Sequence, residues 1–257
     1  YIKMSNEENV AKYIIKQTPI GHIEESITNL KSLIGEQPMD SDGIKAEIQA
    51  YQEDHLAHLE TEQGKVIMSA LNRDSEGYYH DQRKQIKYRF DPENMQAVNI
   101  QTISETSELR DCLEASLKAY ADSYYTPNVT ETNVYYDAEN NKHCILISAH
   151  NLNKKSFWTG EWTSTWELDD SGSLKGSIKA TTYYYESGNV QFNLKNEFND
   201  QISASGNEEK AKQVFKTIEK HENTIHLDLA KIYQDFSETY IKPLRRKQTG
   251  KSLILLI

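Results

Sequence analysis

Hydrophobic positions divide the chain into a helical beginning, a strand-rich middle and a long helical end. Near the start, apolar residues recur at the three- and four-residue spacing of one helix face, as in Ile23, Ile27, Leu30 and Ile34. Three short amphipathic helices of this kind are expected, the third at residues 44–58. We therefore predict a small helical subdomain over residues 5–58.

After residue 58 the pattern changes to short alternating runs. Residues 65–71 indicate a strand, and residues 85–90 indicate another, in which Ile86 and Tyr88 share a face opposite Lys87. Residues 59–108 are predicted to form a small beta globule and a linker. A helical stripe over residues 109–124 then precedes Pro127, which stops that helix.

Five alternating segments separated by short turns follow, and they predict an antiparallel meander. Gly206 then precedes a long amphipathic helix expected over residues 207–241. Such a helix would be about 50 Å long, roughly twice the width of a five-stranded sheet. We therefore expect it to overhang its own sheet and to need a partner. Residues 109–241 are predicted to form the sheet with the long helix packed across it, and the fold class is α+β.

All three tryptophans fall in one predicted strand, at Trp158, Trp162 and Trp166. Even spacing places the rings on one face of a strand. This face could be a binding platform or an aromatic seam, and the long helix favours the seam. With the tryptophans, the following residues of the long helix are expected to form core or dimer contacts: Phe215, Ile225, Leu229, Ile232 and Phe236.

Composition narrows the functional classes. The 257 residues carry a net charge of −10, which argues against binding nucleic acid over the whole surface. Cys112 and Cys144 are the only cysteines and form no CxxC pair, so neither a disulfide framework nor a zinc site is expected. No signal peptide or apolar run long enough to span a membrane is seen, and a cytoplasmic location is expected.

Catalytic motifs are absent from the sequence. It contains no GxxxxGK, GxGxxG, HExxH or GxSxG pattern. His55 and His58 lie three residues apart on a predicted helix and could form a metal pair, but no third ligand has a clear spacing, so a packing role is favoured. His143, Cys144 and His150 are assigned to strand core. We expect neither an enzyme nor a bound metal or cofactor.

Three stretches carry a family resemblance: FWTGEWTSTW at residues 157–166, YYYESGNVQ at residues 183–191 and LRR at residues 244–246. In this order they resemble signatures of the alpha subunit of the F-actin capping protein, and the similarity spans about residues 5–247. The resemblance implies a stalk, a small beta region, a sheet and a long helix. It also implies pairing through sheet and helix about a pseudo-two-fold axis.

The family binds the barbed end of actin filaments and blocks subunit exchange, without catalysis or a cofactor. By resemblance, the partners are the actin filament barbed end and either a capping protein beta subunit or a second copy of this chain. The implied setting is the actin cytoskeleton. Phosphoinositides are a further implied ligand.

Residues 242–257 form a basic and apolar tail on this acidic chain. Its cations are Lys242, Arg245, Arg246, Lys247 and Lys251. They could be no more than a solvated helix end, where cations suit the dipole. The resemblance instead implies that these residues bind actin and that Lys242 and Arg246 also contact phosphoinositides. Arg pairs bidentately with carboxylate or phosphate, which suits either ligand.

The chain departs from the family after Lys247, because only eleven residues follow Arg246. Family alpha subunits continue into a longer amphipathic tail. The short tail leaves open an alternative function, a dimerising scaffold or regulator of the same fold in which capping is weakened or lost.

Overall fold

The computed structural model describes residues 6–186 and 188–236, without the side chains of Lys154, Ile232, Tyr233, Asp235 and Phe236. The α+β class is confirmed, with helices at the start, antiparallel sheets and a long final helix. The chain divides into two compact units, Tyr1–Phe215 and Lys216–Ile257.

The stalk contains four helices where three were predicted. They are α1 (Asn6–Gln17), α2 (Ile23–Ile34), α3 (Glu36–Met39) and α4 (Asp42–Asp54). The extra helix α3 lies where the sequence predicted a loop. Pro38 is tolerated in its first turn, because a backbone N–H at that position would have no hydrogen-bond partner within the helix. Buried residues of the four helices form one core, with Ile15, Leu30, Ile44 and Ile48 among them.

The end of α4 was predicted wrongly, since the helix stops at Asp54 and not at residue 58. Leu56 has a left-handed backbone with φ of 43°. The Ala57 N–H donates to the Gln52 carbonyl at 2.9 Å, and the Leu56 N–H donates to the Glu53 carbonyl at 3.2 Å. These two bonds are those of a Schellman cap, in which the left-handed residue is usually glycine. The missing glycine explains why the sequence did not reveal the stop.

Two small sheets follow the stalk and form the small globule. Strands β1 (His58–Leu59) and β2 (Val66–Ile67) pair with each other, and β3 (Tyr79–Asp81), β4 (Ile86–Asp91) and β5 (Gln96–Thr102) form a three-stranded sheet. The strand expected over residues 65–71 is short, because Ser69 and Asn72 form a capping box around the 3-10 helix Ala70–Asn72. Strands β3 and β5 were missed, since β3 is only three residues long and β5 is mostly exposed and polar.

Helix α5 (Glu108–Tyr124) leads into the main sheet. The predicted meander is confirmed in the strand order β10-β9-β8-β7-β6. Its strands are β6 (Thr130–Asp137), β7 (Lys142–Asn153), β8 (Trp158–Asp169), β9 (Ser173–Tyr184) and β10 (Val190–Gln201). A 3-10 turn, Lys154–Ser156, connects β7 to β8.

The two faces of the main sheet differ in chemistry. One face carries fully buried apolar side chains, namely Val134, Ile145, Ile147, Trp166, Leu168, Leu174 and Ile178. We call it the tryptophan face. The opposite face contains buried polar groups and contacts the end of α4, as the hydrogen bond from Ser148 Oγ to the Leu56 carbonyl shows at 3.0 Å. We call it the stalk face.

The long helix α6 spans Asn207–Phe236. In the first unit, its buried residues Ala211, Val214 and Phe215 anchor its start, and the Phe215 and Tyr120 ring centroids are 5.6 Å apart. In the second unit, Ile218 and Ile225 are fully buried. Among the described residues, no helix is both long enough and apolar enough to cross a membrane.

Candidate functional site

The five predicted actin-binding cations lie outside the described residues. They are Lys242, Arg245, Arg246, Lys247 and Lys251. Of the predicted core or dimer residues on α6, Phe215 and Ile225 are buried and Leu229 is half-buried. The side chains of Ile232 and Phe236 are also outside the description. The role predicted for the tail therefore stays a prediction.

The tryptophans lie on one strand face, as their even spacing predicted. Trp166 is fully buried and stacks on Phe198 at a centroid distance of 5.8 Å. A Cβ atom at Gly176 on the neighbouring strand would lie 2.0 Å from the Trp166 ring. The indole N–H of Trp166 donates to Ser164 Oγ at 2.8 Å. This ring packs inside the fold and has no surface for a ligand.

The other two tryptophans are half-buried. The indole N–H of Trp162 donates to the Tyr125 hydroxyl at 3.0 Å, which joins β8 to the residue that follows α5. The Trp158 ring lies beside Gly160, where an added Cβ would approach it to 3.3 Å. Trp166 and Trp162 therefore connect β8 to β10 and to the end of α5 within the first unit.

Strand β10 provides the open edge of the main sheet. Among the described residues its only strand partner is β9, and exposure alternates along its twelve residues. Val190 at its start is 62% exposed. An open strand edge presents unpaired N–H and C=O groups to another chain. Lys195 and Glu197 place an exposed ion pair of 3.1 Å on this strand, a feature that discourages unspecific edge pairing.

The β6 edge is covered by residues of the small globule. The Gln82 amide donates to the Tyr136 carbonyl at 3.1 Å and accepts from the Tyr136 N–H at 2.9 Å. The Asn133 amide donates to the His80 carbonyl at 2.9 Å. The two edges of the sheet therefore differ, and β10 is the edge suited to strand pairing with another chain.

A buried ion-pair network joins the stalk to the main sheet. Glu161 of β8 has a fully buried side chain, and its Oε2 lies 2.8 Å from His55 Nδ1 at the end of α4. Its Oε1 lies 3.2 Å from Lys179 Nζ, which also donates to Asp54 Oδ2 at 2.7 Å. Burial favours the protonated Glu161, but the His55 hydrogen bond and the Lys179 charge outweigh it and lower the pKa of that carboxyl.

Sequence reasoning did not find this network. Glu161 lies inside the tryptophan motif, and its partners are more than 100 positions earlier in the chain or on the next strand. A carboxylate within a strand that is otherwise buried is the one signal that pointed to it. The metal pair considered for His55 and His58 is not formed on one helix, because His55 caps α4 and His58 lies on β1. Within the described part of the chain, no group of three or more His, Cys, Asp or Glu side chains could hold a metal.

Known proteins resemble this chain over nearly all of its length. The family model for the F-actin capping protein alpha subunit matches residues 11–248. The chain therefore belongs to the F-actin capping protein alpha subunit family.

Two curated relatives and one solved structure illustrate the similarity. The F-actin-capping protein subunit alpha of Arabidopsis thaliana is 23% identical, over 96% of this chain and 86% of that protein. The F-actin-capping protein subunit alpha of Gibberella zeae is 27% identical, over 95% of this chain and 89% of that protein. The structure of the homodimeric actin capping protein alpha subunit from Plasmodium berghei superposes with a TM-score of 0.77 at 20% sequence identity. The superposition covers 96% of this chain and 98% of that chain. This structural similarity shows that the two chains share a fold.

Proposed function

We propose that this chain is one subunit of a dimer that caps the barbed end of actin filaments and blocks subunit addition and loss there. The observation that carries the proposal is the family match over residues 11–248, which spans the stalk, the main sheet and α6. The subunit acts by binding alone and needs no cofactor.

The proposed dimer forms through the open β10 edge. Pairing two such edges would extend the five-stranded sheet and satisfy the free backbone groups of both strands. The partner is a capping protein beta subunit or a second copy of this chain. The Plasmodium berghei relative is described as homodimeric, so self-pairing is the first case to test. Sedimentation of the chain alone gives the answer, because a homodimer sediments at twice the mass of 29.6 kDa.

We further propose that the cationic tail provides the filament contact. Lys242, Arg245, Arg246, Lys247 and Lys251 contribute five positive charges to a chain with a net charge of −10. Cations grouped on an acidic protein steer it towards an acidic surface, and this steering weakens with salt. Lys242 and Arg246 are the proposed contacts for phosphoinositide head groups.

Bulk elongation of pyrene-labelled actin from barbed-end seeds tests the function. The dimer, alone or with a beta subunit, is expected to stop elongation at substoichiometric ratios to actin. Unchanged elongation at micromolar dimer would contradict the proposal. Sedimentation in the same buffer separates this outcome from a failure to dimerise.

A further inference from the structure

Two histidines stack face to face where the stalk meets the main sheet. The rings of His58 on β1 and His150 on β7 are nearly parallel, at 11°, with centroids 4.3 Å apart. His58 lies on β1, four residues after the end of α4, and His150 lies on the stalk face of the main sheet. The pair therefore lies where the end of the stalk, the small globule and the main sheet meet.

The hydrogen bonds around the pair are satisfied by neutral rings. His150 Nε2 lies 2.8 Å from the His55 carbonyl, which only accepts, so Nε2 carries the hydrogen. Ser148 Oγ donates its one hydrogen to the Leu56 carbonyl at 3.0 Å. His58 Nε2, at 2.9 Å from the same Oγ, is therefore the donor of that bond. His150 Nε2 also lies 3.2 Å from Ser148 Oγ, so its one hydrogen is shared between that oxygen and the His55 carbonyl. One hydrogen on each ring completes the network.

Additional protons on both rings would place two cations with ring centroids 4.3 Å apart at a largely buried junction. Burial and the neighbouring His150 lower the pKa of His58 to about 3, and burial lowers the pKa of His150 although Glu161 opposes the shift. The charged or titratable groups that line the space beside the pair or act on its charge are Glu24 of α2, Tyr51 of α4, His55, Glu60, Lys65, Glu161 of β8 and Lys179 of β9. The nearby anion is Glu161, whose Oε2 lies 3.9 Å from His150 Nε2.

We propose that His58 and His150 form an acid-sensitive lock between the stalk and the main sheet, closed while both rings are neutral and opened when they take up protons. The inference goes beyond the proposed function, because it concerns one chain and requires no actin. Opening would release the end of α4, with His55 and Leu56, from Ser148 and Glu161 on the stalk face.

The direction of the pH effect follows from the two states of the pair. In the closed state the rings bind protons weakly, whereas in an opened, solvated state they return to a pKa near 6.5. Acid therefore favours the open state, and the closed state is stable above about pH 6.5. At pH 5.5, each ring that regains its ordinary pKa favours opening by about tenfold.

Hydrogen–deuterium exchange of the full chain at pH 7.5 and pH 5.5, corrected for intrinsic exchange rates, tests the lock. The amides of Ala57 and Met68 donate at the junction, to the Gln52 and Ala57 carbonyls respectively, both at 2.9 Å. Protection of these amides is expected to fall by about tenfold or more at pH 5.5, while the amides of α5 keep theirs. Unchanged junction protection in the wild-type chain would overturn the proposal.

Variants separate the lock from general acid sensitivity. The double variant His58→Gln/His150→Gln keeps an N–H donor near each Nε2 and takes up no proton, so its junction protection should not change with pH. His143→Gln is the matched control, since burial lowers the pKa of His143 as well, to about 4, but this ring lies on the tryptophan face near Ser107. This control should lose junction protection in acid as the wild type does. A double variant with wild-type pH dependence would contradict the lock.

A titration of the wild-type chain covers the case in which the double variant does not fold. Side-chain NMR of the histidines should show His58 and His150 neutral from pH 7.5 to below pH 5.5 while the junction remains closed. Ordinary titration of both rings near pH 6.5 in the closed state would overturn the proposal.

Discussion

His55 Nδ1 lies 2.8 Å from Glu161 Oε2, and this contact joins residues 106 positions apart in the chain. It connects the end of the stalk to the middle of the tryptophan strand. Both side chains are almost completely buried, at 11% and 0% exposure. A buried carboxylate of this kind must keep its partners, because an unpaired charge in the interior is costly. The contact therefore fixes the end of the stalk against the sheet.

Replacing this carboxylate should destabilise the first unit. Glu161→Gln keeps the shape but leaves Lys179 without its buried anion and weakens the His55 contact. We expect the free energy of unfolding at pH 7.5 to fall by about 3 kcal/mol, as measured by urea denaturation. Glu197→Gln is the control, because its pair with Lys195 is exposed and should contribute less than about 1 kcal/mol. Equal effects of the two variants would contradict the buried network.

The packing of Trp166 against β9 predicts a second effect. Gly176→Ala would place a Cβ 2.0 Å from the Trp166 ring, so the ring or the strand must move. We expect the unfolding free energy to fall by about 1–3 kcal/mol. In Gly188→Ala the new Cβ has nothing within 4 Å, and its effect should stay within about 0.5 kcal/mol. A neutral Gly176→Ala would show that Trp166 is less tightly packed than described.

The two cysteines should differ in reactivity. Burial raises the pKa of the Cys144 thiol to about 12, whereas Cys112 is half-buried on α5. Because the thiolate is the nucleophile, iodoacetamide at pH 8 should modify Cys112 in the folded chain and leave Cys144 unmodified. Mass spectrometry of tryptic peptides measures both sites. Equal labelling without denaturant would contradict the buried position of Cys144.

Much of the fold could be predicted from the sequence, because its long elements have strong periodic patterns. The five strands of the meander and α6 alternate or repeat clearly enough to be found. The end of α4 could not be placed, since Leu56 adopts a left-handed conformation without glycine. Strand β5 was hidden because an exposed polar strand has no buried face to mark it.

The candidate site also has one part that the sequence predicts and one part that it does not. The basic tail is a local charge pattern, so it could be recognised in the sequence as a prediction. The junction around Glu161 depends on contacts among α4, β7, β8 and β9, which no local pattern specifies. Even the histidines singled out in the sequence, His55 and His58, were assigned to one helix. Their partners in the fold, Glu161 for His55 and His150 for His58, lie on strands of the main sheet and could not be identified without the sheet register.

The tail prediction is tested by charge reversal in the full chain. Arg245→Glu/Arg246→Glu should weaken capping by at least about tenfold while the unfolding free energy stays within about 0.5 kcal/mol. Lys216→Glu/Lys220→Glu changes the net charge equally at exposed positions of α6 and serves as the control. If both double variants are weakened equally, net charge and not the tail governs binding, and if neither is weakened the tail prediction is wrong.

The most direct test of the capping proposal is to watch single actin filaments grow by fluorescence microscopy with the assembled dimer present. Both ends of one filament are then measured under the same conditions. We predict that barbed-end growth stops in long pauses whose frequency rises with dimer concentration, while the pointed end grows at its usual rate. Uninterrupted barbed-end growth, or equal slowing of both ends, would contradict the account.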